Sequence, residues 1–209
     1  MADTEHVALA ITGASGIQYG LRLLEVLLAG GRKVSLMMSQ PALVVAAMET
    51  DLNLPGNRNE LTTFLLRRFG AREDQLVIYG EKQWSSPLAS GSGVPHSLVI
   101  CPCTTGTLAA VATGQSRSLI ERAADVALKE RRRLILMVRE TPFSEIHLEN
   151  MLRLTRMGAV VMPANPGFYH RPQTVEALVD FMVAKVLDQL QIEHTLIPRW
   201  GSESMEESL

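Results

Sequence analysis

Short apolar runs closed by turn residues alternate with longer stretches of helical spacing along the 209 residues of the chain. Residues 7–12 (VALAIT), 33–38 (KVSLMM), 76–79, 97–101 (SLVIC), 134–138 (LILMV) and 159–162 read as strands. Helices are predicted over 17–29, 41–50, 60–69, 104–113, 119–132, 145–157 and 174–191. The strands are apolar without alternation, as expected when helices cover both faces of a parallel sheet. The pattern therefore predicts a doubly wound, mainly parallel α/β fold. Residues 51–93 are the least patterned; within them 84–93, rich in Ser, Gly and Pro, reads as an active-site flap or an interface loop. No repeat or interdomain linker interrupts the chain, so 1–209 is read as one domain, with a loose acidic tail from about 198 and Trp200 as its anchor.

Composition narrows the class. With 20 Lys+Arg against 22 Asp+Glu the formal charge is −2, and aromatics are 5%. Neither value suits a nucleic-acid binder or a membrane-surface protein. Two cysteines, Cys101 and Cys103, cannot form a disulfide framework or a four-thiolate zinc site. No apolar run reaches the ~18 residues needed to span a bilayer. The start, Met1 to His6, is acidic and carries no basic region followed by an apolar stretch. The expectation is a cytoplasmic protein with no membrane span, no nucleic-acid partner and no metal.

Ligands of doubly wound sheets bind beyond the carboxyl ends of the strands. Five polar, turn-rich segments converge there: Gly13-Ala14-Ser15-Gly16, Ser39-Gln40, Pro102-Cys103-Thr104-Thr105-Gly106-Thr107, Arg139-Glu140-Thr141-Pro142, and the segment from Pro163 to Tyr169. The turn from Gly13 to Gly20 should place free N–H groups beside a helix N-terminus, a geometry that holds a phosphate or a developing anion. Its glycines do not match G-x-G-x-x-G, and the second strand ends in neutral Ser39 where an NAD site would carry an acid. There is no Gly-Lys-Ser/Thr, which excludes a P-loop. A mononucleotide is favoured, FMN first; the alternative is a structural turn without ligand.

Arg122 and Lys129 share one helix face, either as a solvated charged surface or as cations for a phosphorylated substrate. Arg139 and Glu140 follow a buried strand directly, a position that favours a site over a structural ion pair. Cys101 and Cys103 read as buried and structural. His6, His96, His147, His170 and His194 show no metal-ligand spacing. No Asp-Asp-x-x-Asp is present, so a phosphorylated donor would meet Arg and Lys rather than magnesium.

Several segments in order resemble the flavin prenyltransferases of the UbiX type. They are Thr12-Gly13-Ala14-Ser15-Gly16 with Tyr19-Gly20, Met48-Glu49-Thr50-Asp51, Pro102-Cys103-Thr104-Thr105-Gly106-Thr107-Leu108, the run from Arg122 to Arg132, Arg139-Glu140-Thr141-Pro142 and the run from Pro166 to Pro172. The resemblance runs from about Val7 to Trp200. It implies a Rossmann-like or flavodoxin-like flavoprotein fold and a dodecameric homo-oligomer. The activity implied joins the dimethylallyl group of dimethylallyl monophosphate to N5 and C6 of reduced FMN without a metal. Prenylated FMN then serves UbiD-type decarboxylases, for example in ubiquinone synthesis.

The resemblance places Gly13, Ala14, Ser15, Ser39, Thr104, Thr105, Gly106, Thr107 and Arg139 at FMN. It places Tyr169 and Lys185 at the substrate phosphate, with Arg122, Lys129, Glu49 and Glu140 around it, some reaching it from a neighbouring subunit. Lys185 stands where the family often has Arg. Ser15, Glu49, Lys129 and Glu140 are the expected catalytic groups. Competing readings are a flavin-dependent cysteine decarboxylase of related fold, whose first-helix histidine is missing here, and a non-catalytic flavin-binding subunit.

Overall fold

A computed structural model of the chain describes residues 5–198; the expected acidic tail beyond Pro198, with Trp200, lies outside them. Six strands, β1 (His6–Ile11), β2 (Lys33–Met38), β3 (Leu76–Tyr79), β4 (Ser97–Cys103), β5 (Arg133–Val138) and β6 (Val160–Pro163), form one sheet in the order β3-β2-β1-β4-β5-β6. Every pairing is parallel. The helices are α1 (Ile17–Ala29), α2 (Gln40–Glu49), α3 (Arg58–Phe69), α4 (Thr105–Ala112), α5 (Leu119–Lys129), α6 (Glu145–Arg156) and α7 (Val175–Leu190). The chain is thus a doubly wound α/β sheet, and its strand order reverses direction between β1 and β4.

The two faces of β1 show why its run is apolar throughout. Val7, Leu9 and Ile11 pack into a core shared with α1, α3 and α7. Ala8 and Ala10, between them, pack into a second core shared with α4 and α5. Successive strand residues point to opposite faces, so both sets must be apolar.

Most element ends fall within one or two residues of those the sequence predicts, and two larger or structurally telling differences have local causes. β4 continues past Cys101 through Pro102 to Cys103, with a shift of register against β5 between Ile100 and Cys103. Proline has no N–H to give, but its carbonyl is used: it accepts from Thr12 N–H at 3.2 Å. α5 stops at Lys129 rather than at Arg132, because Arg131 turns left-handed (φ 55) and Arg132 N–H closes back on the Ala127 carbonyl. The segment expected as a flap is seated on α5: its turn at Pro87–Ala89 is held where Arg122 Nε donates to the Ala89 carbonyl at 3.1 Å.

Candidate active site at the carboxyl edge of the sheet

The reversal between β1 and β4 opens a crevice, and one side chain ties its two walls. The Thr12 hydroxyl donates to the Pro102 carbonyl at 2.8 Å and accepts from Thr104 N–H at 2.9 Å. Beside it lies a cavity of about 320 Å³ lined by Thr12, Gly13, Ser39, Thr104, Thr107 and Ser118, among others. Three of these residues are helix N-caps: Ser39 of α2, Thr104 of α4 and Ser118 of α5. Each caps with its hydroxyl, and each helix directs the positive end of its dipole toward the crevice. In the first turn of α4, Thr107 N–H is taken by Thr104 Oγ1 at 3.1 Å, while Thr105 and Gly106 N–H have no partner among the described residues. The spare donors of α4, between the starts of α2 and α5, make a seat for an anion, on a lining that also carries Lys82 and Arg117 alongside Glu81 and Glu121.

The glycine turn is organised differently from the sequence expectation. Gly16 is left-handed (φ 93), and its N–H donates to Glu49 Oε2 at 2.8 Å, with Ile17 N–H at 3.3 Å. A carboxylate from the end of α2 therefore occupies the N-terminus of α1, and that helix end is not open to a phosphate. Burial pushes the Glu49 carboxyl up, but the Ser15 hydroxyl, the two N–H groups and the charge of Arg139 outweigh it, leaving the carboxyl below its ordinary range. Ser15, Glu49 and Arg139 thus form one electrostatic cluster. Upstream of the pinned turn, the N–H groups of Gly13, Ala14 and Ser15 have no partner among the described residues. Gly13 has no room for a side chain: a Cβ there would lie 2.4 Å from Pro41 Cβ.

Arg139 leaves the tip of β5 with its N–H on the Cys103 carbonyl at 3.2 Å. Its Nε is buried and lacks a partner among the described residues, a donor that asks for an acceptor. Glu140, next along, accepts from Thr141 N–H at 3.0 Å. Cys101 and Cys103 are both fully buried, and burial pushes both thiols up, so neither is a nucleophile.

Tyr169 and Lys185 meet through a third residue. The Tyr169 ring packs edge-on to Phe181 at 5.6 Å, and Lys185 Nζ lies 5.6 Å from the Phe181 ring centre one turn further along α7. His170 stacks on the same ring at 5.2 Å.

The two α5 cations are less centrally placed. Arg122 lies near the N-terminal end of α5, paired with Asp125 at 2.9 Å. Lys129 is the last residue of that helix, roughly 10 Å further along its axis. It leads into the start of β5, at the opposite edge of the sheet, and is ion-paired with Glu130. One chain therefore gathers Gly13, Ala14, Ser15, Ser39, Glu49, the residues from Thr104 to Thr107, Arg139 and Glu140 along one edge, but leaves Lys129 outside. Ser118 and Thr12 line the cavity without having been expected to. The spacing Ser118-x-x-Glu121 at a helix start was the signal for the first.

Comparison with known proteins agrees with this geometry. The family described as Flavoprotein matches residues 1–187. The flavin prenyltransferase UbiX of Pseudomonas aeruginosa is 54% identical over 205 residues, covering 98% of this chain and 98% of that protein. Among solved structures, AnUbiX (PadA1) in complex with FMN and dimethylallyl pyrophosphate is similar with a TM-score of 0.84 at 36% identity, covering 95% and 98% of the two chains. A dodecameric FMN-dependent UbiX-like decarboxylase from Escherichia coli O157:H7 gives 0.83 at 34%, covering 94% and 100%. The chain belongs to the UbiX family of flavin prenyltransferases, within the flavoproteins.

Proposed function

We propose that the chain transfers a dimethylallyl group from dimethylallyl monophosphate to reduced FMN, as a single α/β domain assembled into a dodecamer in the cytoplasm. The product, prenylated FMN, goes to a UbiD-type decarboxylase, as in ubiquinone synthesis. The observation that carries this reading is the crevice at the strand reversal, where helix N-termini, unpartnered loop N–H groups and the Ser15–Glu49–Arg139 cluster lie along one edge of a chain from this family.

The residues present fit FMN. Gly13, Ala14 and Ser15 offer a run of unpartnered N–H groups where no Cβ intrudes at position 13, and Arg139 Nε is a buried donor without an acceptor. Ser39, Thr104, Thr105, Gly106 and Thr107 would hold the phosphate end by caps and helix dipoles. Reduced FMN, when bound, supplies the nucleophilic positions N5 and C6.

The chain's own residues would handle the donor. Its phosphate is a poor leaving group until its charge is met. Lys185, the Tyr169 hydroxyl and Arg122, with Lys129 from a neighbouring subunit, meet that charge in place before bond cleavage. Glu140 handles the proton released when the ring closes. Ser15, held by Glu49, orients its hydroxyl toward the reacting edge. No divalent ion is required, because side-chain cations supply the charge.

The test is anaerobic incubation with reduced FMN and dimethylallyl monophosphate or diphosphate, followed by the mass of the flavin. A gain of one prenyl unit is expected; an unchanged flavin mass with both donors overturns the reading. The same assay without any decarboxylase separates an enzyme from a non-catalytic flavin-binding subunit.

A further inference from the structure

At the edge of the sheet opposite the crevice, the C-terminal ends of α5, α6 and α7 surround a second cavity of about 420 Å³, whose lining includes His96, Arg131, Arg132, Arg133, Asp188 and Gln191. Its charges are uneven. The one carboxylate, Asp188, is already engaged by Lys185 at 3.5 Å and His194 at 3.2 Å. Arg133 donates to the Gln189 carbonyl. Glu130, which feels the charge of Arg132, is ion-paired with Lys129. Among the described residues no carboxylate is hydrogen-bonded to Arg131 or Arg132, and Arg132 Nε is buried with no partner. A buried donor left in that state is destabilising.

The backbone gives an independent observation. Six of the seven helices end in the same cap, in which an N–H closes five residues back around a left-handed residue. In α1, α3, α4 and α6 that residue is Gly31, Gly70, Gly114 and Gly158, the residue type that adopts this conformation freely. In α5 and α7 it is Arg131 (φ 55) and Gln191 (φ 59). Both exceptions line this one cavity. Long polar side chains stand where glycine would be easier, and they stand there together.

Helix C-termini ordinarily disfavour anions. Here the caps engage carbonyls of the last turns and Arg133 takes that of Gln189, so those carbonyls do not occupy Arg131 and Arg132, and Arg132 Nε stays without an acceptor among the described residues. We propose that this cleft is a second anion site, which takes a phosphate group, free or on a phosphomonoester, between Arg131 and Arg132 with Gln191 as a neutral donor. It lies at the opposite edge of the sheet from its own chain's flavin crevice and does not rest on the transferase reading.

The experiment uses the FMN-loaded full chain in an Arg122→Ala background, which weakens phosphate binding in the crevice and leaves the partners of Asp188 in place. Calorimetry and thermal melting are followed against inorganic phosphate, AMP and, as an ionic-strength control, sodium chloride. Saturable phosphate binding is expected, weakened roughly tenfold or more by Arg132→Gln. Binding of AMP as well would mark the ligand as a phosphomonoester; binding of phosphate alone would mark it as the free ion. Arg131→Gly restores the easier cap, so it should raise Tm in phosphate-free buffer and abolish the gain in Tm that phosphate gives. An unchanged phosphate response in both variants overturns the proposal, as does a response that sodium chloride reproduces. Arg131→Gly keeps the test open should Arg132→Gln fail to fold.

Discussion

The two edges of the sheet are built from the same parts and present opposite chemistry. At the carboxyl edge, α2, α4 and α5 begin, and hydroxyl caps leave N–H donors available around the crevice. At the amino edge, α5, α6 and α7 end, and their carbonyls are closed by caps while arginines gather beside them. One helix, α5, serves both: Ser118 at its start lines the crevice and Lys129 at its end does not. Direction of the helix, more than residue type, decides what each edge can hold. It also means that two cations on one face of one helix need not serve one chain's site.

The largest effect should come from Glu140→Gln. FMN should still bind, and product formation should fall roughly 100-fold or more, as for loss of a proton-transfer group; full turnover in the anaerobic mass assay would remove Glu140 from the chemistry. Next is Lys129→Ala, expected to raise KM for the donor roughly tenfold with FMN bound as before. Because Lys129 lies at the far edge of its own chain, co-assembled Lys129→Ala and Glu140→Gln subunits should regain activity in roughly one site in four, by random assortment over a symmetric interface. No recovery on mixing would place both groups in one chain's site and break the contrast between the edges.

A third variant probes the carboxyl edge alone. Gly13→Ala drives a methyl into Pro41 and should displace the start of α2, so FMN binding should weaken roughly tenfold by equilibrium titration. The smallest effect concerns acid stability. Glu49 titrates below the ordinary carboxylate range in the folded chain. Its contribution is therefore complete above that range and is lost as pH falls through the folded value. The Tm of the parent should drop faster on acidification than that of Glu49→Gln, and parallel Tm curves would refute the pin at the start of α1.

Nearly all of the fold was legible because apolar runs on a doubly covered sheet leave few other arrangements. The misplaced ends have local causes. Arg131 is not a residue type that announces a left-handed helix end, and Pro102 reads as a strand stop although its carbonyl continues the pairing of the strand tips. The site's loops were legible from the strand-end rule. Glu49 at the start of α1 was not, since it reaches across 33 residues and nothing local marks the contact. The separation of Lys129 from the crevice follows from chain direction, but only once the end of α5 and the start of β5 are fixed.

The Glu49 pin gives the crevice a polarity. A fixed negative group sits at one end, and the open helix starts with their spare donors sit at the other. A ligand with one anionic terminus and one neutral ring system is therefore favoured in one sense, tail toward the open helix starts at Ser39 and Thr104, head toward Ser15. The preference is written into the chain's own backbone, by which helix starts are left open and which one is closed by a carboxylate.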